Sequence, residues 1–265
     1  MIRLAVFGSP ISRSRSPEIH RLFARQCGLE IDFRAIEARP GTFPDLLEEF
    51  AAGGAKGCNV TVPLKHQAWK LAQKSSAGAN RAQAANTLLF EDWNEWLADN
   101  TDGRGLIRDL VTHLDHPFAG SRVCIIGAGG AVAGILGDLL AQGPASIVIA
   151  NRTLQRAQQL CESFTGVAAI PLQALEMQDP FNLIINATSL GHAGKHPGLP
   201  RSIFHPDSLC YDLNYAAAAE PLRNFCQEAK IRYQDGLGML VEQAALSFEL
   251  WTGKAPDTKP VLKQL

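Results

Sequence analysis

The segment of residues 122–156 constrains the fold of this chain more than any other. It opens with the apolar run 123–126, which has the length and β-branched character of a strand buried on both faces. Glycines follow at once. The segment 131–142, rich in Ala, Gly and Leu, then indicates a helix whose first amides face the glycine turn. A second apolar run over 146–150 predicts the next strand. The segment therefore predicts a βαβ unit with a pyrophosphate site at its glycine turn.

The residue types at both ligand-facing ends of this unit indicate which dinucleotide it binds. A strand before the glycines and a helix after them make the turn far more specific than a bare glycine motif. NAD sites usually have an acidic residue at the end of the second strand, but this chain has Asn151, followed by Arg152, Thr153 and Arg156. Two guanidinium groups and a hydroxyl suit a 2′-phosphate, so the pattern favours NADP. The alternative is that both arginines belong to a solvated face of the next helix.

The composition and charge of the chain restrict the kinds of protein that it can be. The chain has 265 residues, 46% of them hydrophobic, and a net charge of −1, which is enough for two medium cores and gives no general basic field. Binding to nucleic acid or to a membrane is therefore not expected. The N-terminal segment lacks the pattern of a signal peptide, which predicts a cytoplasmic protein. Six scattered cysteines without a CxxC pair predict reduced core residues, and no histidine pair predicts a metal site.

The first hundred residues alternate between predicted strands and helices, with polar residues where they join. Ser14 and Ser16 lie between the first strand and a helix that starts near Pro17, where Ser16 is expected to cap the helix. The same pair of hydroxyls fits a carboxylate-binding site. Lys65 falls in the first turn of the helix predicted for 64–73, where the positive end of the helix dipole disfavours a cation. That position suits a proton-transferring amine, although an ordinary surface lysine is the alternative.

The second half of the chain continues the alternation. Strands at 86–90 and 95–98 predict a hairpin about residues 92–94, and the cluster 99–103, which includes Asp102, precedes a helix predicted for 106–114. An aspartate in that position is often only a helix cap. Strands at 165–171, 181–187, 209–213 and 231–234 extend the sheet that begins at residue 123. We therefore predict an α/β protein with an N-terminal α/β substrate-binding domain, a doubly wound Rossmann-type NADP-binding domain and a cleft between them. The predicted domains are 1–101, completed by C-terminal helices in 238–265, and 102–237.

Five separated stretches resemble the shikimate dehydrogenase family, within the wider shikimate/quinate dehydrogenase group. They are GSPISRSRSPEIH at the start, NVTVPLK, NT followed by DNTDG, GAGGA with NRT, and YDLNY followed by DGLGMLVEQAALSFELWTG. The resemblance implies NADP-dependent, reversible reduction of 3-dehydroshikimate to shikimate in aromatic amino-acid biosynthesis. It implies that Lys65 transfers the proton and that Asp102 is its partner, as protonation of a developing alkoxide requires.

The resemblance also assigns the remaining site residues. Ser14, Ser16 and Tyr215 would hold the substrate carboxylate, while Thr61, Asn86, Asp102 and Gln243, with Lys65, would contact the ring hydroxyls. Hydroxyl and amide groups suit a neutral polyol. The matching cofactor contacts are Gly127, Ala128, Gly129, Gly130, Ala131, Asn151, Arg152, Thr153, Arg156, Leu213 and Gly236.

Some positions depart from the family pattern. Ala133 replaces an arginine usual after the glycine turn, Gln83 replaces the glycine of GAVNT, and 75–77 lacks an acidic residue common there. Arg13 and Arg15 replace the usual His and Lys or Leu. The reaction type is unaffected, because Lys65 and Asp102 are both present.

Two alternatives remain open. The first is a quinate/shikimate or shikimate dehydrogenase-like paralogue with relaxed use of substrate or cofactor. The serine pair argues against a preference for quinate, because the additional C1 hydroxyl needs room beside the carboxylate. The second is a non-catalytic NADP-binding regulator, against which the retention of Lys65 and Asp102 argues. The sequence is compatible with a monomer or a homodimer.

Overall fold

The computed structural model describes residues 1–92 and 94–265 and divides them into two compact units. The first unit contains Met1–Leu106 together with Leu240–Leu265, and the second contains Ile107–Met239. The first unit is therefore built from two distant parts of the chain, while the second is continuous.

A six-stranded mixed sheet forms the centre of the first unit. Its strands are β1 (Ile2–Gly8), β2 (Ile31–Glu37), β3 (Gly57–Val60), β4 (Lys74–Ser75), β5 (Thr87–Asp92) and β6 (Glu95–Asp99). Their order in the sheet is β2-β1-β3-β5-β6-β4. The first three strands are parallel, whereas β5 pairs antiparallel with both β3 and β6.

Five helices follow strands of this sheet in the chain: α1 (Ser16–Cys27), α2 (Phe43–Ala52), α3 (Lys65–Leu71), α4 (Ala77–Ala82) and α5 (Asp102–Arg108). In α1, Ile19, Phe23 and Ala24 recur at helical spacing and are buried. The helix ends at Gly28, whose φ of 64° is accessible to glycine at little cost.

A six-stranded parallel sheet forms the second unit. Its strands are β7 (Arg122–Ile126), β8 (Ser146–Asn151), β9 (Val167–Pro171), β10 (Phe181–Asn186), β11 (Phe204–Asp212) and β12 (Arg232–Gln234). The order β12-β11-β10-β7-β8-β9 reverses direction between β7 and β10. This order is the doubly wound arrangement, in which ligands bind beyond the carboxyl ends of the strands where the order reverses.

Helices connect the strands of the second unit, and two more helices end the chain. They are α6 (Gly130–Leu140), α7 (Leu154–Glu162), α8 (Glu220–Ala229), α9 (Leu237–Thr252) and α10 (Thr258–Leu262). From Leu240 onward, α9 belongs to the first unit. There it contributes Val241, Ala244, Ala245 and Phe248 to a cluster with Ile19 and Phe23 of α1.

Several predicted local features differ from the structure. Ser16 is not the cap of α1: it is the first helical residue, Arg15 occupies the cap position, and the cap makes no side-chain hydrogen bond. The helix predicted from residue 106 starts at Asp102 and becomes a π-helix over Asp109–His113. The hairpin strands β5 and β6 are paired as predicted, while Trp93 in its turn lies outside the described residues.

Within the described residues, no helix has both the length and the apolar character that crossing a membrane requires. The cysteines are all free: Cys58, Cys124, Cys210 and Cys226 are buried, and the other two are half-buried.

Candidate functional site

An ion pair between Lys65 and Asp102 is the centre of the polar site in the first unit. Each residue is the first of its helix, α3 and α5 respectively, and Lys65 Nζ lies 2.5 Å from Asp102 Oδ2. The two side chains are 17% and 8% exposed. Limited exposure reduces the screening of the pair, and an amine in contact with a carboxylate can exchange a proton with a bound ligand.

The aspartate does not act as a simple helix cap. Asn100 Oδ1 accepts the backbone N–H of Asp102 at 3.1 Å, which is the kind of bond that a capping side chain makes. The carboxylate of Asp102 is therefore directed to other partners. Its Oδ2 atom contacts Lys65, and its Oδ1 atom accepts Asn86 Nδ2 at 2.8 Å.

Hydrogen bonds on both ends of its side-chain amide fix the orientation of Asn86, which is 3% exposed. Asn86 Oδ1 accepts the backbone N–H of Thr101 and the hydroxyl of Thr87, each at 2.9 Å. A backbone N–H can only donate, so Oδ1 must be the acceptor. The NH2 group consequently faces the Asp102 carboxylate at 2.8 Å and Gln243 Oε1 at 3.0 Å.

Gln243 reaches the same cluster from α9. Its Nε2 donates to the carbonyl of Leu240 at 2.7 Å, which leaves Oε1 as the acceptor facing Asn86. The structure thus brings four of the predicted site residues into one bonded cluster: Lys65, Asn86, Asp102 and Gln243. Thr61 lies four residues before Lys65, where its N–H donates to Phe7 O at 2.8 Å. It is half-buried, and no hydrogen bond in the described chain joins it to the cluster.

The predicted serine pair lies in the loop between β1 and α1. Ser14 Oγ is 3.3 Å from Ser16 Oγ and also accepts the backbone N–H of Ser16. Glu37 holds the start of this loop, because its carboxylate accepts the Ser9 hydroxyl at 2.5 Å and the Ile11 N–H at 2.9 Å. These hydrogen bonds lower the pKa of Glu37.

Additional buried polar residues surround Asn86 that sequence analysis did not assign. Thr101 Oγ1 donates to Gln243 O at 3.0 Å, and Ser247 Oγ lies 2.7 Å from Thr87 Oγ1. Asn59 reaches the same group from β3. Asn59 and Thr87 are polar residues next to buried apolar strand residues, and both lie in stretches quoted above, NVTVPLK and NT; these were the available signals. His20 had a similar signal, since it interrupts the apolar face of α1.

The glycine turn of the second unit connects β7 to α6. Gly127 has a φ of 115°, and a side chain there would also press against the carbonyl of Ala187. Gly129 and Gly130 are exposed, and nothing lies within 4 Å of a side-chain position on either. The first N–H groups of α6 have no partner within the helix, so this open turn fits an anionic group.

The residues after β8 lie at the same edge of the sheet. Asn151 Nδ2 donates to Thr153 O at 2.9 Å, which closes the turn that leads into α7. Arg152, Thr153 and Arg156 are exposed, and within residues 1–92 and 94–265 neither arginine forms an ion pair. Two exposed cationic side chains four residues apart, neither with an acidic partner in the described chain, suit a phosphate.

Leu213 and Gly236 are brought together beyond β11. The N–H of Leu213 donates to Asn186 O, and the N–H of Gly236 donates to Asn214 O, each at 2.9 Å. A side chain on Gly236 would meet the Leu213 carbonyl oxygen at 2.5 Å, so glycine is needed there. Burial raises the pKa of Asp212 in this turn, while hydrogen bonds from Asn214 and Asn186 oppose the rise. Tyr215 follows in the second unit and is half-buried.

The predicted cofactor residues therefore offer the groups that a 2′-phosphorylated dinucleotide requires: open backbone amides for a pyrophosphate and exposed guanidinium groups for a phosphate. Among the residues that the structure describes, no group of three or more His, Cys, Asp or Glu side chains has the arrangement of a metal site.

Three family models match this chain. Residues 6–88 match the shikimate dehydrogenase substrate binding domain, residues 109–194 match shikimate / quinate 5-dehydrogenase, and residues 236–265 match the shikimate 5′-dehydrogenase C-terminal domain.

Individual proteins match over the whole length. A shikimate dehydrogenase (NADP(+)) from Chromobacterium violaceum is 45% identical over 99% of this chain and 97% of its own. A crystal structure of an Ael1 enzyme from Pseudomonas putida superimposes with a TM-score of 0.92 at 39% identity, covering 100% of this chain and 98% of that one. Shikimate 5-dehydrogenase from Thermus thermophilus, solved in complex with NADP(H) and shikimate, gives a TM-score of 0.87 at 32% identity, with 99% and 98% covered.

Proposed function

The chain belongs to the shikimate dehydrogenase family, and from this premise we propose how its residues carry out the family's reaction. It is an NADP-dependent oxidoreductase of aromatic amino-acid biosynthesis that reversibly reduces 3-dehydroshikimate to shikimate. The single observation that supports the residue assignment best is the partly buried contact between Lys65 and Asp102.

Lys65 handles the proton in this proposal. NADPH, when bound, supplies the hydride that reduces the C3 carbonyl carbon. The carbonyl oxygen gains negative charge in that step, and the Lys65 ammonium group stabilises it and gives it a proton. In the oxidation of shikimate, the neutral amine takes the proton of the C3 hydroxyl as hydride leaves the carbon. Because both directions need an amine at the C3 oxygen, the loss of Lys65 affects both.

Asp102 orients Lys65. Its carboxylate binds Nζ through Oδ2, while Asn86 holds Oδ1, so the acid has little freedom to turn away. A fixed carboxylate keeps the amine in one position before the substrate arrives, which lowers the entropy cost of the reactive arrangement. The same carboxylate and the amides of Asn86 and Gln243, with Thr61, are the groups that would bind the ring hydroxyls.

The serine pair would bind the substrate carboxylate, together with Tyr215. Two hydroxyls 3.3 Å apart can donate to the two oxygens of one carboxylate. The contacts of Glu37 with Ser9 and Ile11 support this assignment, because they hold the loop that presents both serines.

The cofactor is NADP. Gly127, Ala128, Gly129, Gly130 and Ala131 would receive its pyrophosphate, and Leu213 and Gly236 would border the nicotinamide end. Asn151, Thr153, Arg152 and Arg156 would bind the 2′-phosphate, and the absence of an acidic residue at the end of β8 supports that choice over NAD.

A second candidate is a shikimate dehydrogenase-like enzyme with relaxed use of substrate or cofactor. One observation favours it: residue 133, where the family pattern has an arginine, is alanine in this chain, which removes a cation near the proposed cofactor site.

Two further proposals concern the cellular compartment and the oligomeric state of the protein. Its cysteines are all free, which fits a reducing compartment and supports a cytoplasmic location. A homodimer is the assembly to be tested against a monomer, by light scattering on the purified protein.

Replacement of Lys65 tests the proton-transfer assignment. We expect Lys65→Ala to lower kcat about 100- to 10,000-fold in both directions, since general acid–base catalysis contributes that much. Lys70→Ala is the matched control, because it removes an exposed lysine from the same helix. Circular dichroism and the melting temperature establish that both variants fold. Turnover by Lys65→Ala equal to that of Lys70→Ala would show that the assignment is wrong.

Steady-state rates with shikimate and quinate, each with NADP and NAD, separate the two candidate functions. The proposed enzyme has its highest kcat/KM with shikimate and NADP. Faster turnover of quinate with NAD would favour the second candidate.

A further inference from the structure

His20 is a buried histidine that the proposed mechanism does not use. It lies on α1 with a relative exposure of 0%, and its ring stacks on Phe33 with centroids 4.3 Å apart and planes inclined by 8°. Phe23 and Trp251 also pack against the ring. The only polar contact of the ring in the described chain joins Nε2 to Asn59 Oδ1 at 3.1 Å, and Nδ1 is buried without a partner.

The position of the ring proton follows from Asn59. Its Nδ2 atom lies 3.2 Å from the carbonyl oxygen of Asn86 and 3.1 Å from Ser247 Oγ. A carbonyl oxygen can only accept, so Nδ2 faces it and Oδ1 must face His20. Oδ1 is an acceptor as well, and therefore His20 Nε2 must donate. Burial lowers the pKa of His20 from its ordinary value of 6.5 to about 3, so the ring is neutral with its proton on Nε2.

A run of hydrogen bonds with one direction connects this donor to the ion pair. His20 Nε2–H donates to Asn59 Oδ1, and Asn59 Nδ2 donates to Asn86 O and, at 3.3 Å, to Thr87 Oγ1. Thr87 Oγ1 donates to Asn86 Oδ1 at 2.9 Å, and Asn86 Nδ2 donates to Asp102 Oδ1 at 2.8 Å. Each group accepts on the His20 side and donates on the Asp102 side.

We propose that His20 is a positioning residue for the active site: its Nε2–H fixes the amide orientation of Asn59, which holds Asn86 and Thr87 so that Asn86 faces Asp102. This inference rests on the proposed roles of Asn86 and Asp102. A ring that served only for packing would not need a nitrogen, and burying an imidazole among aromatic side chains has a desolvation cost that phenylalanine avoids. The donor to Asn59 is what the imidazole adds.

His20→Phe removes the donor and keeps an aromatic ring. Without His20, Asn59 Oδ1 loses its buried donor, and the orientation of the Asn59 amide is no longer determined from that side. We expect the KM for shikimate to rise about 10-fold with a fall in kcat, because the groups that bind the ring hydroxyls are displaced. The KM for NADP should stay within about 2-fold. Loss of folded protein alone would lower the apparent kcat and leave both KM values unchanged.

Two variants separate the hydrogen bond from packing. His20→Gln supplies an amide N–H that can donate to Asn59, and we expect it to restore the KM for shikimate to within about 3-fold of the parent value. Phe33→Leu is the matched control: it removes the stacked ring and leaves the hydrogen bond, so both KM values should stay within about 2-fold while the melting temperature falls. An unchanged KM for shikimate in His20→Phe, or an equal rise in Phe33→Leu, would overturn the proposal.

The tautomer of His20 can be measured spectroscopically in the parent protein, so this test does not require His20→Phe to fold. Two-bond 1H–15N correlation spectra of histidine side chains distinguish the two neutral tautomers, and the signal missing from His20→Gln identifies His20. The proposal requires the proton on Nε2, and a proton on Nδ1 contradicts it. Lys65→Ala measured in the same assays keeps the outcomes apart. If Lys65→Ala retains turnover, the proposed function is wrong. If Lys65→Ala loses turnover but the KM for shikimate in His20→Phe equals that in Phe33→Leu, only the inference about His20 is wrong.

Discussion

Arg152 is the residue at which the choice between the two nicotinamide cofactors can be tested most directly. Its exposed guanidinium follows β8 at the position after Asn151. Charge-assisted hydrogen bonds to a phosphate contribute about 1.5–3 kcal/mol each. We therefore expect Arg152→Asp to raise the KM for NADP about 10- to 100-fold and to change the KM for NAD much less. Initial rates with varied NADP and NAD measure both values.

Arg201→Asp is the control for this test. It makes the same change of charge at an exposed arginine of the second unit outside the proposed phosphate site. The ratio of the two KM values should stay at the parent level in Arg201→Asp. An unchanged ratio in Arg152→Asp would show that another group binds the 2′-phosphate.

Local motifs identified single residues of the site, but they did not identify the contacts that orient every side chain. Lys65 and Asp102 lie in distinctive motifs, and the structure brings them into contact. Asn59 and His20 lie in quoted motifs as well, but their roles were not predictable, because an amide's orientation depends on which distant segments meet around it. Asn59 contacts residues 27, 28 and 188 positions away in the chain, and no local pattern encodes such a meeting.

At the scale of elements, the start of α9 is fixed by the π-helix of the second unit. Asp109, the first residue of the π-helix, accepts the Tyr211 hydroxyl at 2.6 Å and is 2% exposed. A side chain on Gly238 would overlap the Asp109 carboxylate. Gly→Ala within a helix normally stabilises by about 1 kcal/mol. We expect Gly238→Ala to destabilise the protein instead, lowering the free energy of unfolding by about 1–3 kcal/mol.

Urea denaturation monitored by fluorescence measures this change, and Gly78→Ala provides the comparison. Gly78 lies in α4, where an added side chain would meet its nearest atoms at 3.7 Å, an ordinary contact. Alanine there should stabilise or leave the unfolding free energy unchanged. If Gly238→Ala stabilised the protein as well, the Asp109 carboxylate would not fix the start of α9.

Periodicity predicted the longer elements to within a few residues but not the short or irregular ones. The apolar spacing of α1 and the continuous apolar run of β7 identify both elements from sequence. The two-residue strand β4 has too few residues for a period and depends on pairing with β6. The π-helix at Asp109 likewise depends on burial of one carboxylate against Tyr211, which is a tertiary contact.

At the scale of the whole molecule, the buried neutral His20 links stability to pH. Burial lowers its pKa from 6.5 to about 3 in the folded protein, so between these values the unfolded chain binds a proton that the folded chain does not. The free energy of unfolding therefore falls by about 1.4 kcal/mol per pH unit as the pH drops through that window. The stabilisation is complete above pH 6.5.

His20→Gln isolates this contribution, because His116, whose pKa burial also lowers, is present in both proteins. Between about pH 6.5 and 5, the parent protein should lose about 2 kcal/mol more than the variant. Denaturation curves at several pH values measure the difference. Parallel losses in the two proteins would show that His20 is protonated in the folded state.

The sequence predicted the architecture of the second unit better than that of the first. Alternating strands and helices leave few arrangements for a parallel sheet, and the observed order is the doubly wound one. The first sheet is mixed, and a hairpin inserted between β3 and β4 sets its order. Which edge a hairpin joins depends on packing across the sheet, and the local sequence does not encode it.

The division of the first unit between residues 1–106 and 240–265 affects the order in which its contacts form during synthesis on the ribosome. Residues 107–239 form a continuous segment that can fold as it emerges. The earlier residues lack Trp251, whose Nε1 donates to Leu88 O, and Ser247, whose hydroxyl contacts Thr87, until α9 has been synthesised. Residues 1–106 thus emerge before the second unit but complete their contacts after it, and a product that stops before residue 240 lacks the α9 residues that pack against α1.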